Sequence, residues 1–524
     1  MTPRTAEALQ RRYGATYKWL ASGAVMVGCI ATVLSATIVN VALPDIMGEF
    51  GLGQDQAQWL STAFLAAMTA SMLTTAWGLA TFGTKKAYVY SLAVFVAGSI
   101  LGGVSPNEQV LIVARVLQGA AAGLVQPVAM VVLFTSFHPS ERGLAMGLYS
   151  LGVVLAPALG PTMGGLLVDN YTWRYVFFLG IPLCLAGAGL AMAYLPDPVR
   201  RDRMPFDLPG FVLLCVLVFA FLTALSNGQR EGWDSLFVRG FFGLSALATV
   251  GFILRERTCA TPLLALGVYA NPRFLAASLV AFILGLGLFG STYLIPLFVQ
   301  TIQGASPTES GLLLMPGGIV LGLVSPVAGR LADRVPPYVL IMVGLALFGW
   351  SSWLMTAADT STAFWSFAGW VVLGRVGLGC ILPSLNSGAL RVLSHEQVGQ
   401  GSGNINFMRQ LGGAVGVSLL SVYLERQTTL YGQALNALQT GTHIASDTLV
   451  RIGARLMQAG FLDDFSQSLR QPEAYQFFSN MLAAKARMLG FRESFLLAAL
   501  LFALGIVPAW FVRLGRPRTP NRPR

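Results

Sequence analysis

The chain has 524 residues, of which 55% are hydrophobic and only 11% are charged, and its mean hydropathy is +0.65. About a quarter of the residues of an ordinary soluble domain are charged, so this composition excludes a soluble globular protein and predicts one that buries apolar surface in lipid. A net charge of +11 would indicate nucleic acid in a soluble protein, but in a membrane protein it follows from where Lys and Arg lie relative to the bilayer.

Apolar runs long enough to cross a bilayer follow one another along the whole chain. A helical span needs about 20 apolar residues, and bounding each run at charged or turn residues gives fourteen predicted spans. An even number of spans puts both termini on one side of the membrane. The predicted spans lie near 18–43, 57–80, 86–104, 110–134, 144–168, 175–195, 208–226, 236–254, 274–299, 310–332, 337–357, 364–390, 403–424 and 491–512.

The distribution of Lys and Arg predicts which side holds the termini. If the amino terminus is cytoplasmic, the cytoplasmic segments carry most of the basic residues, and the short loops on the other side carry only Arg174, Arg230 and Arg239. Cytoplasmic loops of membrane proteins are enriched in Lys and Arg. We therefore expect the N-terminal segment 1–17 and the basic tail 513–524 to be cytoplasmic.

Residues 425–490 form the one long segment outside the predicted spans, on the periplasmic side. Apolar and charged residues alternate there at roughly helical spacing, which predicts amphipathic helices. Two interpretations stay open: an external lid that packs on its own spans, or a docking surface for a partner protein.

The sequence carries no motif of an enzyme or of an ATP-driven pump. The three histidines, His138, His395 and His443, lie in predicted loops, and there is no HExxH, GxSxG or Walker A pattern. Of the five cysteines only Cys259 lies outside an apolar run, so neither a disulfide framework nor a CxxC metal site is expected. We therefore predict neither an enzyme nor a protein with a metal, a cofactor or a nucleic-acid partner.

Weak self-similarity at an offset of about 253 to 260 residues indicates two related halves, a common construction of secondary transporters. Arg115 in VARVLQG corresponds to Arg375 in LGRVGLG. GRLADRVP at 329–336 falls between two spans of the second half, and AWGLATFG at 76–83 falls at the corresponding place in the first half.

Five motifs occur in order along the chain: LSATIVNVALP at 34–44, VARVLQGAAAGLVQP at 113–127, GPTMGG at 160–165, WRYVFFLGIP at 173–182 and GRLADR at 329–334. Together they resemble the major facilitator superfamily, and within it the fourteen-span EmrB/QacA-type drug:proton antiporter family. The resemblance implies an all-α integral membrane protein of the major facilitator fold. It would have two six-helix bundles, 18–195 and 274–512, with two inserted helices between them at 208–254.

The same resemblance implies a function and a location. We expect a proton-coupled efflux transporter of the bacterial inner (plasma) membrane, which uses the proton motive force to export hydrophobic toxic compounds by alternating access and thereby confers antibiotic resistance. In Gram-negative bacteria, relatives of this kind can work with a periplasmic adaptor and an outer-membrane channel. An uptake permease or a transporter of lipid-like substrates stays open as an alternative, because the fold does not set direction. A non-transporting scaffold would have no use for the antiporter motif.

Ionisable groups at bilayer depth are the sharpest functional signal, because each costs at least about 2.5 to 3.5 kcal/mol. Arg115, Arg375 and Arg409 lie inside predicted spans, whereas all 23 acidic residues fall in loops or at span ends. Embedded arginine without embedded carboxylate attracts anions and repels cations. We therefore predict a neutral or anionic hydrophobic substrate, such as a fatty acid or an acidic uncoupler. The alternative is that backbone carbonyls, or Gln118 and nearby polar groups, satisfy Arg115 and Arg375, which then serve architecture alone.

Arg409 is the leading candidate for substrate binding, because amide side chains surround it in SGNINFMRQLGG. By resemblance, an Asp usually stands where this chain has Ser35, so the usual proton or cation site of the family is unsupported at that position. Protons would then be carried by rim carboxylates, Asp45, Asp169 and Glu309, or by the substrate itself. The substrate and coupling candidates are Arg115, Gln118, Arg409, Asn404, Asn406, Gln410, Ser35 and Asn40.

The antiporter motif has a conformational interpretation. Prolines weaken the helical hydrogen-bond ladder, and glycines let neighbouring helices approach closely. A hinge between the halves is one consequence, and tight packing without movement is the other. The residues concerned are Pro157, Gly160, Pro161, Gly164 and Gly165.

GRLADR contributes a candidate latch, Asp333 with Arg334. Asp333 can cap a helix or pair with an arginine of a neighbouring span, and either contact would hold one state of a rocking cycle. An ordinary surface salt bridge is the alternative. In the first half Ala80 and Thr81 occupy the corresponding places, so that copy of the latch is missing.

Overall fold

The computed structural model describes residues 6–196, 204–437, 455, 458 and 472–513. These ranges are helical, and they contain no strand. We number the helices in chain order: α1 Ala6–Tyr13, α2 Tyr17–Phe50, α3 Gln54–Met72, α4 Thr75–Gly103, α5 Glu108–Ser136, α6 Arg142–Asn170, α7 Tyr175–Phe178, α8 Gly180–Tyr194, α9 Leu208–Glu231, α10 Leu236–Thr258, α11 Pro272–Thr301, α12 Pro307–Ala332, α13 Pro337–Leu354, α14 Phe364–Arg391, α15 Val398–Ala437 and α16 Pro472–Phe511.

The helices agree with the predicted membrane spans. Twelve stretches are long and apolar enough to cross a membrane, with α7 and α8 together forming one of them. The helices α3 and α6 stand at the two remaining predicted spans. The prediction of an all-α membrane protein with about fourteen spanning helices is therefore confirmed.

The second predicted span, 57–80, is not one continuous helix. A short break separates α3 from α4, and two threonine hydroxyls lie at this break. Thr74 donates from Oγ1 to the carbonyl of Ser71 at 2.8 Å, and Thr75 donates to the carbonyl of Met72 at 2.7 Å. Hydroxyls that bind nearby carbonyls in this way compete with the helical ladder and bend it.

The predicted loop at 76–83 is likewise mostly helical. It lies at the beginning of α4, and the chain turns only at Gly83, whose φ of 73° is a conformation that glycine adopts without strain. Spans two and three are thus separated by one glycine kink.

The last two helices extend well beyond the predicted spans 403–424 and 491–512, since α15 and α16 have 40 residues each. The extension of α15 packs on α16, because Tyr431 donates to Glu493 Oε1 at 3.2 Å and a Cβ at Gly432 would lie 3.9 Å from that of Ala486. Both ends of the segment 425–490 therefore continue these helices. The amphipathic helices expected in its middle lie outside the described residues.

We call α2–α8 the first half, α11–α16 the second half, and α9 with α10 the inserted pair. Large apolar side chains fill each half, such as Tyr88 and Phe134 in the first and Phe348 and Phe502 in the second. The inserted pair packs on both halves: Leu214 of α9 shares one cluster with residues of α3 and with Phe407 of α15.

Close approach of the two halves depends on glycine at one end of the molecule. A Cβ at Gly143 of α6 would collide with the carbonyl oxygen of Gly329 of α12, and one at Gly147 with that of Ser325. Small residues allow such backbone contact between membrane helices. This end, where α6 begins and α12 ends, is where the halves are held together. We call it the closed end.

At the opposite end, the hydrogen bonds of the described loops stay within one half. Arg174 pairs with Glu49 at 2.8 Å in the first half. Gln303 donates to the carbonyl of Asp359 at 3.2 Å in the second. The contact between the two halves is therefore closer at the closed end than at the opposite end.

Candidate functional site

A polar cluster around Arg409 of α15 lies between the two halves. Arg409 donates from Nη2 to Oδ1 of Asn406, and Tyr149 of α6 donates to the same oxygen at 3.0 Å. The amide nitrogen of Asn406 donates to the carbonyl of Ser402 at 2.9 Å and lies 3.3 Å from the sulfur of Met130. Residues of α5, α6 and α15 thus build one site from both halves.

Backbone packing fixes where Arg409 lies. A Cβ at Gly285 of α11 would collide with the carbonyl of Arg409, and one at Gly412 of α15 with the carbonyl of Phe282. The helices α11 and α15 therefore touch along their backbones, and the opposite face of α15, with the side chain of Arg409, meets the first half.

Arg409 carries a positive charge that no acidic side chain neutralises among the residues described. Its side chain is only 5% exposed, and it acts electrostatically on Cys29 and Tyr149 of the first half. A guanidinium stays protonated in proteins, and a buried charge without a counter-ion is costly. The cluster is therefore chemically suited to receive an anionic group.

Two other predicted residues of this helix lie outside the cluster. Asn404 accepts a hydrogen bond at 2.5 Å from the hydroxyl of Tyr269, in the segment before α11. Gln410 is partly buried and shares no hydrogen bond with the cluster in the part of the chain that the structure describes. Of the amides grouped with Arg409 in the sequence, only Asn406 contacts it.

Arg115 belongs to a separate network inside the first half. It is fully buried, and it donates to the carbonyls of Leu60 and Ser35, both at 3.2 Å, and to Gln118 Oε1 at 2.9 Å. Its guanidinium also stacks over the ring of Phe64 at 4.0 Å. This arrangement matches the architectural interpretation of Arg115.

The remaining first-half candidates divide between this network and the surface. The hydroxyl of Ser35 accepts from Arg115 at 3.3 Å, and Gln118 donates to Ser99 at 2.9 Å. Asn40 is exposed and accepts from Ser61 at 2.9 Å. Ser35 and Gln118 therefore support Arg115, whereas Asn40 does not reach it.

Arg375 differs from Arg115, although the two correspond in the repeat. It is 8% exposed, and it makes no hydrogen bond or ion pair within the described ranges. It lines a small cavity in the second half together with Ser291, Ser351 and Ser352. This second positive charge is therefore also unneutralised.

The glycines of the antiporter motif pack α6 against α2. A Cβ at Gly160 would collide with the hydroxyl of Thr37, and one at Gly164 would lie 2.9 Å from Ile38 Cγ1, whereas Gly165 has open space around it. Pro157 and Pro161 stand within α6, which runs unbroken from Arg142 to Asn170. The geometry agrees with close packing, and the hinge stays a prediction.

Asp333 makes both contacts that the sequence offered as alternatives. Its carboxylate accepts from the backbone N–H groups of Gly143, at 2.7 Å, and Leu144, at 3.1 Å, at the start of α6. It also pairs with Arg391 at 2.5 Å, whereas Arg334, named beside it from the sequence, is exposed. Asp333 thus joins the halves at the closed end.

The predicted proton carriers Asp45, Asp169 and Glu309 are all exposed, and Glu309 closes a capping box with Ser306. The acidic residues that are buried among those described are Asp207, 3% exposed, and Glu256, 4% exposed. Sequence reasoning missed them as candidates because they stand at helix ends, where hydropathy does not separate a buried carboxylate from a solvated one.

These features define a multi-pass membrane protein built from two similar halves around a buried polar interface. The Major Facilitator Superfamily model matches residues 25–417. The chain belongs to the Major Facilitator Superfamily, so it is a membrane transporter and not an enzyme.

Relatives with assigned names are resistance transporters. The tetracenomycin C resistance and export protein of Streptomyces glaucescens is 30% identical over 78% of this chain and 76% of its own. The fatty acid resistance protein FarB of Neisseria gonorrhoeae is 29% identical over 92% of this chain and 93% of its own. These relatives agree with the resemblance to the drug:proton antiporter family.

Solved structures share the fold. The crystal structure of the human organic anion transporter MFSD10 has a TM-score of 0.61 with 12% identity, and covers 94% of this chain and 99% of its own. This similarity supports the major facilitator fold.

Proposed function

We propose that this protein is a proton-coupled exporter of hydrophobic compounds that carry a negative charge, such as fatty acids or acidic uncouplers. The observation that carries the proposal is the buried, unneutralised Arg409 at the contact between the halves. In a dry environment such a charge favours anions and rejects cations by several kcal/mol in Coulomb terms. Arg375 adds a second positive charge of the same kind on α14.

The distribution of contacts between the halves supports alternating access. Asp333 and the paired glycines join the halves at the closed end, and the Arg409 cluster lies between the halves as well. Opening that end requires the contacts of Asp333 to break. With both termini cytoplasmic, the closed end is the cytoplasmic gate.

The names of relatives support export of toxic compounds. FarB is named for fatty acid resistance and aligns over 92% of this chain, which agrees with the charge argument for a carboxylate substrate. The tetracenomycin C protein is named for resistance and export. Export from the cytoplasm across a bacterial inner membrane is therefore the direction that we propose.

The test is transport by the purified protein in vesicles with an imposed pH gradient. A labelled long-chain fatty acid and a lipophilic cation are compared for wild type, Arg409→Ala and the control Arg334→Ala, which removes an exposed charge. We expect the gradient to drive the fatty acid and not the cation. Arg409→Ala should lose at least about tenfold in rate, equivalent to about 1.4 kcal/mol, and Arg334→Ala should match wild type.

Two results would contradict the proposal. Equal transport of the cation by wild type and by Arg409→Ala would show that substrate charge is read elsewhere. Fatty acid movement that ignores the pH gradient would remove proton coupling and favour a permease for lipid-like substrates.

A periplasmic adaptor with an outer-membrane channel completes the proposed export route. The long extensions of α15 and α16 support this, because they carry the chain away from the membrane spans. Replacing 438–471 by a short flexible linker should abolish co-purification with an adaptor and leave vesicle transport intact. Unchanged adaptor binding would contradict the assignment of this segment.

A further inference from the structure

Two buried carboxylates stand together at one end of the inserted pair. Asp207 caps the start of α9, accepting from the N–H of Gly210 at 3.3 Å, and its Oδ1 also accepts from Arg255 Nε at 2.9 Å. Glu256, which follows Arg255 in α10, accepts from the N–H of Leu264 at 3.0 Å and interacts electrostatically with Asp207. The start of α9, the end of α10 and the connection to α11 thus meet here.

Each carboxylate has one oxygen without a partner. Oδ2 of Asp207 and Oε1 of Glu256 are buried and make no hydrogen bond within the described residues. A buried acceptor that is left unsatisfied costs about 1 to 3 kcal/mol, and more when it is charged. Protonation of one carboxyl group converts an unsatisfied anionic oxygen into a hydroxyl that can donate.

The charge balance of the cluster calls for one proton. Asp207 and Glu256 are two potential negative charges, and Arg255 is the positive group that pairs with Asp207, so among the described residues the ionised cluster holds one excess negative charge. Cys259 contacts Arg255, and Arg257 is exposed. Two carboxylates in one buried site do not both ionise readily.

The inserted pair makes apolar and hydrogen-bonded contacts with the helices packed on it, among the residues that the structure describes. Where α9 contacts α3 and α15, the cluster is apolar, with Phe64, Met68 and Phe407 facing Leu214 and Val218. From α4, Trp77 packs on Phe206 with ring centroids 4.6 Å apart and donates to the carbonyl of Met204 at 3.1 Å. These contacts connect the cluster to both halves without a further charge.

We infer that Asp207 and Glu256 form a shared binding site for one exchangeable proton at the base of the inserted pair. The role of this proton rests on the proposed function, in which it is the coupling ion. Its binding changes the charge beside α9, which packs on one helix of each half.

The test uses the full chain in lipid nanodiscs, without substrate, and N,N′-dicyclohexylcarbodiimide, which reacts with protonated carboxyl groups in apolar surroundings. Peptide mass spectrometry measures labelling of each acid at about pH 6 and about pH 8.5. Glu309 and Asp234, both exposed, are internal controls. Asp207→Asn removes the neighbouring negative charge and keeps an oxygen for the N–H of Gly210.

We expect Glu256 to be labelled at least about fivefold more than the controls, with labelling falling at the higher pH. Asp207→Asn should lower labelling of Glu256 at the same pH. Labelling of Glu256 no greater than that of Glu309, or indifferent to pH and to Asp207→Asn, would overturn the shared site. This readout needs no transport, so it fails independently of the proposed function.

The coupling role is tested separately with Glu256→Gln, which keeps an oxygen for the N–H of Leu264. Fatty acid accumulation driven by a pH gradient is compared with counterflow in the absence of a gradient, and Asp234→Asn, at the other end of the inserted pair, is the control. We expect Glu256→Gln to lose gradient-driven accumulation by a larger factor than counterflow. Equal loss of both would assign Glu256 a structural role only.

Discussion

Arg115 and Arg375 occupy corresponding places in the two halves, yet their surroundings differ. Three oxygens within 3.2 Å and an aromatic ring surround Arg115, whereas Arg375 makes no hydrogen bond among the residues described and lines a cavity. The comparison shows that a repeated residue need not keep its role. Arg115 is held by hydrogen bonds within its half, and Arg375 makes none among the residues described.

The difference begins in the sequence. Gln118 stands one helical turn after Arg115 and accepts its hydrogen bond, while the equivalent place after Arg375 holds Leu378, which is buried in the second-half core. Residues three apart on a helix share a face. A glutamine there satisfies the arginine, and a leucine leaves it without a partner.

The largest expected effect is on Arg115. Arg115→Ala removes the donor for the carbonyls of Leu60 and Ser35 and for Gln118, and it opens a cavity beside Phe64. Buried acceptors left in this way cost about 1 to 3 kcal/mol each, so we expect a loss of about 3 kcal/mol or more, measured as a fall in the unfolding temperature in detergent. Wild-type stability in this variant would remove the architectural role.

Gln118→Leu makes the first half resemble the second. It removes the hydrogen bonds to Arg115 and Ser99 and keeps the side chain's approximate volume, so a loss of about 1 to 3 kcal/mol is expected. The measurement is the same unfolding temperature, with Gln410→Leu as the control for a partly buried glutamine outside the network. A smaller loss of stability than in Gln410→Leu would contradict the role of Gln118 as the partner of Arg115.

Arg375→Met should change the stability in the opposite direction. Replacing a buried charge by an apolar side chain of similar length is often neutral or stabilising, here by about 1 kcal/mol. We expect an unfolding temperature equal to or above that of wild type, together with slower fatty acid transport. Destabilisation as large as in Arg115→Ala would show that Arg375 is held by contacts like those of Arg115.

Ser35→Ala tests the contribution of the Ser35 hydroxyl to the network of Arg115. Arg115 uses both the hydroxyl and the carbonyl of Ser35, and the carbonyl remains in the variant. We expect a loss below about 1 kcal/mol, visible only as a small shift of the unfolding temperature. A loss as large as in Gln118→Leu would mean that the hydroxyl, and not the carbonyl, carries the contact.

Much of the fold could be predicted from hydropathy, because a span of about 20 apolar residues is a strong signal. The break before Thr75 could not, since threonine hydroxyls that bind the backbone carry no hydropathy signal. Amphipathic helices were expected after residue 424, but not that α15 would run unbroken to Ala437, because the charged residues that follow a span end its hydropathy signal.

The candidate site was predicted only in part. Arg409 and Asn406 stand three residues apart, so their contact follows from helical spacing, but their contact with Tyr149 depends on packing between the halves. Which arginine of a neighbouring span pairs with Asp333 depends on packing as well, and it is Arg391 at the end of α14. Backbone carbonyls such as that of Leu60 have no sequence signature at all.

Counterflow of a labelled long-chain fatty acid in vesicles without a pH gradient tests the proposed anion site at Arg409. It is compared for wild type, Arg409→Ala and Arg409→Lys. We expect a loss of about tenfold or more for Arg409→Ala and partial retention for Arg409→Lys, which keeps the charge but not the planar fork. Counterflow at the wild-type rate in Arg409→Ala would contradict an anion site at the contact between the halves.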